Sequence, residues 1–421
     1  MSIFLEAAAR IGTAVCRSAH WDREGELCNW VGRLAMVATS DGEVANPQAG
    51  ALGPELYGGT SGVALFLAEL FGRTGEPEFG RTALGAVRRA LRQCERSPNP
   101  IDGGYALSVF DGALGVAYAA WRVALRVEAD GLAEHACALL IAATEVRRAS
   151  HPLDVIGGNS GAIAALLTLH HAGVCPDGRD LAVGLAEELC RVAIRRNDVA
   201  IWQQPGGARV ESVPLTGFAH GAAGIGLALL EAHGATGRTD FLEISRRAFA
   251  YEDRLFEPVV GNWPDFRCVS GMGHGDERPP YAVAWCHGAP GIALSRLRAM
   301  ALDPARRDDL AATARAGLRT TLDTARLWSR GDVTLCHGLA GLSEILMIAG
   351  LTLDDETYAG AAQTIARGLI ETYSERGNWP TGTGGPTPSL MLGTAGIGYH
   401  FLRLDAPELI PTILVPGSQI W

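Results

Sequence analysis

The chain has 421 residues, 48% of them hydrophobic, with 36 basic against 46 acidic side chains and a net charge of −10. It is too apolar to stay disordered, and too acidic for general binding to nucleic acid or anionic membranes, which needs basic patches. Glycine is in excess, at 53 residues, and lysine is absent, which excludes a Walker-type phosphate loop.

Length alone suggests two or three domains. No apolar run approaches the roughly 18 residues of a membrane-spanning helix. The opening MSIFLEAAARIG places Glu6 and Arg10 where a signal peptide needs an unbroken apolar stretch, so the expectation is a soluble cytoplasmic protein. The same residues, continued to Ala19, read as the first helix.

From Gly58 onward one element recurs: G-x-x-G followed by a small-and-aliphatic run. Its copies are GGTSGVALFLAEL, DGALGVAYAAW, GGNSGAIAALLTL, HGAAGIGLALLEA, HGAPGIALSRL, HGLAGLSEILMI and LGTAGIGYHFL. Their first glycines are Gly59, Gly112, Gly158, Gly221, Gly288, Gly338 and Gly393, a spacing of about 55 residues. The runs are apolar on all sides and read as buried inner helices. Between them, segments such as EFGRTALGAVRRALRQCERS, RDLAVGLAEELCRVAIRRN, TDFLEISRRAFAYEDRLF and DDLAATARAGLRTTLDTARLW carry apolar residues at i, i+3, i+4 and i+7 and read as amphipathic outer helices. WQQPGGARVESVPL and VVGNWPDFRCVSG are candidates for short hairpins or extended loops. Such units bury their inner helices only by stacking. Neither end shows a polar capping face, so the expected fold is all-α: one closed α/α toroid over residues 1–421, with seven inner and about seven outer helices. All inner N-termini would line one mouth, giving a partial positive charge that favours anions such as thiolates.

The residue before the repeat glycine varies. It is Gly58, Asp111, Gly157, His220, His287, His337 and Leu392, so three successive repeats place histidine there. Two of the three have cysteine one place earlier, as WCHG at 285–288 and LCHG at 335–338. Composition predicts a Cys-His-Gly tripeptide only about 0.03 times in such a chain. Cysteine and histidine are the standard Zn²⁺ ligands, and ligands 50 residues apart that meet through stacked repeats suit a site with an open fourth position. The alternative is a buried cysteine beside a helix-capping histidine. The remaining cysteines, at 16, 28, 94, 137, 175, 190 and 268, suit a reducing compartment without disulfides; Cys137 and Cys190 read as core. Asp111 reads as a helix cap and His170–His171 as a solvated helix end. The two GNWP copies read as turns, with Trp263 and Trp379 as candidates to line a peptide groove.

The repeats, above all FAHGAAG, WCHGAPG and LCHGLAG, resemble the LanC-type lanthionine cyclases. That family includes free-standing cyclases, the C-terminal domains of bifunctional lanthionine synthetases, and eukaryotic LanC-like proteins. The likeness runs from Gly58 to about Leu402, and WCHG with the ending YHFLRLDAPELIPTILVPG looks closer to the bifunctional enzymes. A dehydratase domain does not fit in 421 residues, so the expectation is a free-standing cyclase or one excised from a larger synthetase. The resemblance implies Zn²⁺ held by Cys286, Cys336 and His337, an active-site histidine at His220, and an orienting aspartate at Asp154. It places His287 where free-standing cyclases often carry tyrosine. An arginine often found four residues before the first zinc cysteine is Ala282 here, with Arg278 the nearby substitute.

The implied reaction adds peptide cysteine thiols to dehydroalanine or dehydrobutyrine to form thioether rings in a dehydrated precursor peptide, leader plus core, with a separate dehydratase as a further partner. From the residues alone, His220 also reads as a capping or core histidine and Asp154 as an N-cap. Alternative functions are addition of another thiol such as glutathione, and a non-catalytic peptide-binding toroid with structural zinc. Prenyl transfer is disfavoured by 7% aromatics and the missing lysine.

Overall fold

The computed structural model describes residues 1–33, 49–96, 105–145, 151–203, 213–267, 279–328, 331–383 and 385–417. The first helix, α1 (Ile3–Arg17), is capped by the Ser2 hydroxyl, which accepts from Leu5 N–H. Six helix pairs follow: α2 (Thr60–Thr74) with α3 (Pro77–Arg96), α4 (Ala113–Ala124) with α5 (Leu132–Glu145), and α6 (Asn159–His171) with α7 (Gly178–Val192). Then come α8 (Ala222–Thr236) with α9 (Thr239–Asp253), α10 (Ala289–Leu302) with α11 (Arg307–Arg326), and α12 (Leu339–Leu353) with α13 (Glu356–Tyr373). The last helix, α14 (Thr394–Asp405), packs on α1 and makes the seventh pair. Even-numbered helices touch their neighbours in order, and α14 returns to α2. The ring is closed, and it is the α/α toroid that the repeat pattern predicts.

Each inner helix starts at its repeat glycine, with no side-chain cap in any of the seven. Glycine is required by space. A Cβ on Gly115, Gly161 or Gly341 would run into the carbonyl oxygen six residues earlier, because the preceding loop folds back over the helix start. The expected cap at Asp111 is therefore overturned: Gly112 is the N-cap. Asp154 likewise caps no helix.

The loops before the glycines are tied to one another around the whole ring. Tyr57 N–H donates to Phe110 O, the Ser108 hydroxyl to Ile156 O, Val155 N–H to Ala219 O, and Ala219 N–H to Cys286 O, at 2.6–3.0 Å. Trp285 N–H donates to Cys336 O, Cys336 N–H to Met391 O, and Met391 N–H back to Tyr57 O, at 3.0–3.1 Å. These seven contacts form a closed belt just above the inner-helix N-termini.

At the opposite end, neighbouring inner helices are joined by ion pairs. Glu69 on α2 accepts from Arg122 and Arg126, Glu231 on α8 from Arg298, and Glu344 on α12 from Arg403 and His400. Asp405 accepts from Arg73, closing α14 onto α2, and from the Ser2 hydroxyl. Residues 406–417 turn back into the space the inner helices enclose. Ile410, Ile413, Leu414 and Val415 are buried there, Tyr399 OH donates to Pro411 O, and the Thr168 hydroxyl donates to Gly417 O.

Strands are few: hairpins β1 (His20–Trp21) with β2 (Cys28–Asn29), β3 (Val31–Arg33) with β4 (Ala49–Ala51), and β5 (Ile194–Arg196) with β6 (Val199–Ile201). The last corrects the helix expected through Asn197. Asn197 takes a positive φ of 53°, which suits a tight hairpin turn, so the chain leaves the helix at Val192. The described ends of WQQPGGARVESVPL hold no strand, while VVGNWPDFRCVSG begins within a turn bridged between Glu257 and Asn262. Trp263 is a buried core residue, whereas Trp379, though largely buried, lines a pocket with Trp30, Ile11 and Pro388 beside α1. Cys137 and Cys190 are half-buried on outer helices, and Cys190 packs against the core. His170 and His171 end α6 as expected. Among the described residues no helix is long and apolar enough to cross a membrane.

Candidate metal centre

The belt carries the cysteines and histidines that the sequence singles out. Cys286 and Cys336 stand two residues before their glycines, at equivalent points of adjacent repeats, and the bond from Trp285 N–H to Cys336 O holds those loops together. The ligand atoms of Cys286, Cys336 and His337 all lie within 4.8 Å of one another. Tetrahedral zinc, with bonds of about 2.0–2.3 Å, needs donors a little closer than that, within reach of small side-chain adjustments. Two sulfurs, one imidazole and one open side make a donor set that fits zinc.

Electrostatics within the trio are uneven. The neighbouring Cys336 side chain, with His337, holds the Cys286 thiol well below the ordinary thiol range. Burial and the Cys286 charge push Cys336 well above it, although Tyr57 OH donates to its Sγ at 3.0 Å. One thiol of the pair therefore sheds its proton readily, while the second resists in the absence of a cation. Desolvation works against a charged His337, but the Cys286 sulfur outweighs it and raises its pKa.

His220, one place before its glycine, is bound to Asp154: Nδ1 lies 2.7 Å from Oδ2. The other oxygen of Asp154 accepts from Gly157 N–H at 2.8 Å, fixing the carboxylate within its own loop. Burial lowers the His220 pKa, yet the Asp154 contact prevails and the net shift is upward.

His287 is turned differently. Gly288 alone among the seven N-cap glycines has a left-handed φ, +84°, and a Cβ there would strike Ala282 O. The turn carries the His287 ring inward, where it is 1% exposed and stacks on His220 with centroids 5.4 Å apart. Burial pushes its pKa down to about 4, and its Nε2 has no hydrogen-bond partner among the described residues.

Two groups escaped the sequence reading. Tyr57 occupies in the first repeat the register position that Cys286 and Cys336 occupy in theirs, and alignment of the repeats would have found it. Arg267 is gripped by buried Asp265, with Nε–Oδ1 at 3.0 Å and Nη2–Oδ2 at 2.6 Å, and Asp265 Oδ1 lies 4.0 Å from His287 Nδ1. The positive charge of Arg267 works against protonation of His220, His287 and His337 alike, which sets it at the same mouth. Asp111 also faces this mouth: burial, then Glu55 and Asp154, raise its carboxyl to about 7. Arg278 lies outside the described residues.

Known proteins are similar to this chain in family and in fold. The model of the family described as lanthionine synthetase C-like protein matches residues 50–415. Nisin cyclase has a similar structure, with a TM-score of 0.61 and 20% sequence identity, over 84% of this chain and 88% of its own. A sugar epimerase from a ruminal bacterium aligns over 100% of both chains at a TM-score of 0.47 and 14% identity. An α-1,6-mannanase of Salegentibacter sp. HEL1_6 aligns over 97% of this chain and 100% of its own, at a TM-score of 0.49 and 11% identity. With the family match spanning all seven repeats and the paired Cys-His loops, the chain belongs to the lanthionine synthetase C-like family.

Proposed function

We propose that this protein is a zinc-dependent lanthipeptide cyclase, joining cysteine thiols to dehydroalanine or dehydrobutyrine in a dehydrated precursor peptide. One observation carries the reading: the Cys286–Cys336–His337 trio sits beside the His220–Asp154 pair, their loops joined by Ala219 N–H donating to Cys286 O. Cys286, Cys336 and His337 would hold the zinc, which when bound supplies the Lewis acidity that keeps a thiol deprotonated near neutral pH.

The chain's own groups account for the remaining needs. In the reaction the cysteine thiol gives up its proton, a bond forms between its sulfur and Cβ, the Cα–Cβ double bond is consumed, and Cα takes a proton. Asp154 accepts from His220 Nδ1–H and so fixes the tautomer, leaving Nε2 to receive and return that proton. The Asp154 contact, which raises the His220 pKa against burial, favours the ring holding that proton. We assign Arg267, whose charge is felt by His220, His287 and His337, the negative charge that develops on the acceptor's carbonyl oxygen. His287 stacks behind His220 and keeps its ring in plane. Eight free cysteines among the described residues favour a reducing, cytoplasmic setting.

The test combines metal analysis with mass spectrometry. The purified protein should carry about one zinc per chain and remove free thiols from a dehydrated peptide. A folded protein that binds the peptide without thiol loss would favour a scaffold. Thiol loss only when glutathione is supplied would favour the other thiol-adding reaction.

A further inference from the structure

Behind the His220 loop lies a carboxylate that the proposed reaction leaves unused. Glu252 sits near the end of outer helix α9 and is 0% exposed. Its Oε1 accepts from Gly217 N–H at 2.8 Å and from Ala223 N–H at 3.0 Å. Those amides lie three residues before and three after His220. Its Oε2 meets Arg296 Nη2, on α10, at 3.2 Å. Arg296 is equally buried, with its guanidinium 3.8 Å from the Phe249 ring centre and a further contact to Asp253. Gly217, with φ at +98°, backs onto His287: a Cβ there would lie 3.2 Å from His287 Cα.

The next repeat does the same job without charge. The Asn262 side-chain oxygen accepts from Ala289 N–H and Trp263 N–H, both at 2.8 Å, and its amide donates to Ala282 O at 2.9 Å, holding the His287 loop. A neutral amide therefore suffices to hold such a loop. Burying a carboxylate and a guanidinium instead is costly in desolvation, which pushes the Glu252 carboxyl up to about 7 even beside Arg296, and what the ionised pair returns is firmer geometry, since hydrogen bonds to ions are roughly twice as strong as neutral ones.

We propose that Glu252, held by Arg296, is a positioning residue that clamps both flanks of the His220 loop and sets the imidazole for proton transfer. The inference rests on His220 carrying the proton in the reaction proposed above.

The test uses the metal-loaded full chain with Arg296→Met as background, so that no variant leaves a buried charge unpaired. R296M/E252Q keeps an acceptor for the two amides, and R296M/E252L removes it. The leucine variant should lose about 10- to 100-fold in kcat with KM and zinc content unchanged, and the glutamine variant should recover most of that loss. Equal kcat in the two would overturn the proposal, as would a loss carried by KM or by zinc content. If the leucine variant does not fold, R296M/E252M takes its place. Amide hydrogen exchange separates this inference from the reaction itself. The leucine variant should speed exchange at Gly217 and Ala223 but not at Ala289, and unchanged exchange would sink the clamp. Should the wild-type protein consume no peptide thiol, the cyclase reading fails while the exchange result still decides the clamp.

Discussion

The two ends of the ring bury titratable groups in opposite ways. At the far end every buried carboxylate on an inner helix meets a guanidinium: Glu69 with Arg122 and Arg126, Glu231 with Arg298, Glu344 with Arg403 and His400. Burial alone would raise Glu344, but Arg403 and His400 outweigh it and hold its pKa at about 2. At the mouth Asp154 and Asp265 keep His220 and Arg267 as partners, but other groups are left wanting. Cys336 resists ionising, His287 is kept neutral with one nitrogen unbonded, and Asp111 is raised to about 7. One scaffold satisfies its charges where only cohesion is needed and withholds partners where the proposed metal and substrate would supply them.

If this contrast holds, damage at the mouth should cost function and damage at the far end should cost stability. The largest effect is expected from Cys336→Ala, which should abolish zinc binding and lower thioether formation by about 10³-fold or more, with the fold retained; metal analysis and a thiol-loss assay check both halves. His220→Asn should cost about 10²- to 10⁴-fold in kcat at unchanged zinc content, measured at saturating peptide. Glu344→Leu strands Arg403 and His400 in the core, and denaturant unfolding should show a loss of about 3–5 kcal/mol with zinc content unaltered.

Acid should separate the ends more gently. The folded pKa of Glu344 lies below its unfolded value, so its stabilisation is full above about pH 4.5 and is lost as pH falls toward 2. Unfolding curves in that window should fall more steeply for the wild type than for Glu344→Gln. Asp111 has the opposite sign, because its folded pKa is raised: its carboxyl costs nothing below about pH 4 and most above pH 7. Asp111→Asn should therefore stabilise the protein by about 1–2 kcal/mol at pH 8, with the gain fading as pH falls toward 4.

The seven inner-helix starts were legible because a steric demand, a backbone crossing that no Cβ tolerates, writes itself as glycine at fixed register. The metal trio was legible because its residue types recur within that register. Tyr57 shared the register but not the residue type. Arg267 enters from a loop outside it, so its place depends on how Asp265 and His287 fold together. The return of residues 406–417 into the ring left no periodic trace, since a segment without helix or strand is placed only by the space around it. The GNWP tryptophans were half legible for a related reason: sequence does not show how far a ring beside a turn is buried, and packing encloses Trp263 while Trp379 keeps one side on a pocket.

The belt of loop-to-loop hydrogen bonds has a geometric consequence for how such a ring tolerates change. It behaves as a hoop of fixed circumference, and the gap between the two sulfurs is one short arc of it. Lengthening any pre-glycine loop, even on the side opposite the cysteines, must be absorbed somewhere along the hoop. Residues added where an inner helix turns outward at the far end lie off the hoop and leave the arc untouched. Indels should thus be tolerated on one rim and excluded from the other, whatever their distance from the metal ligands.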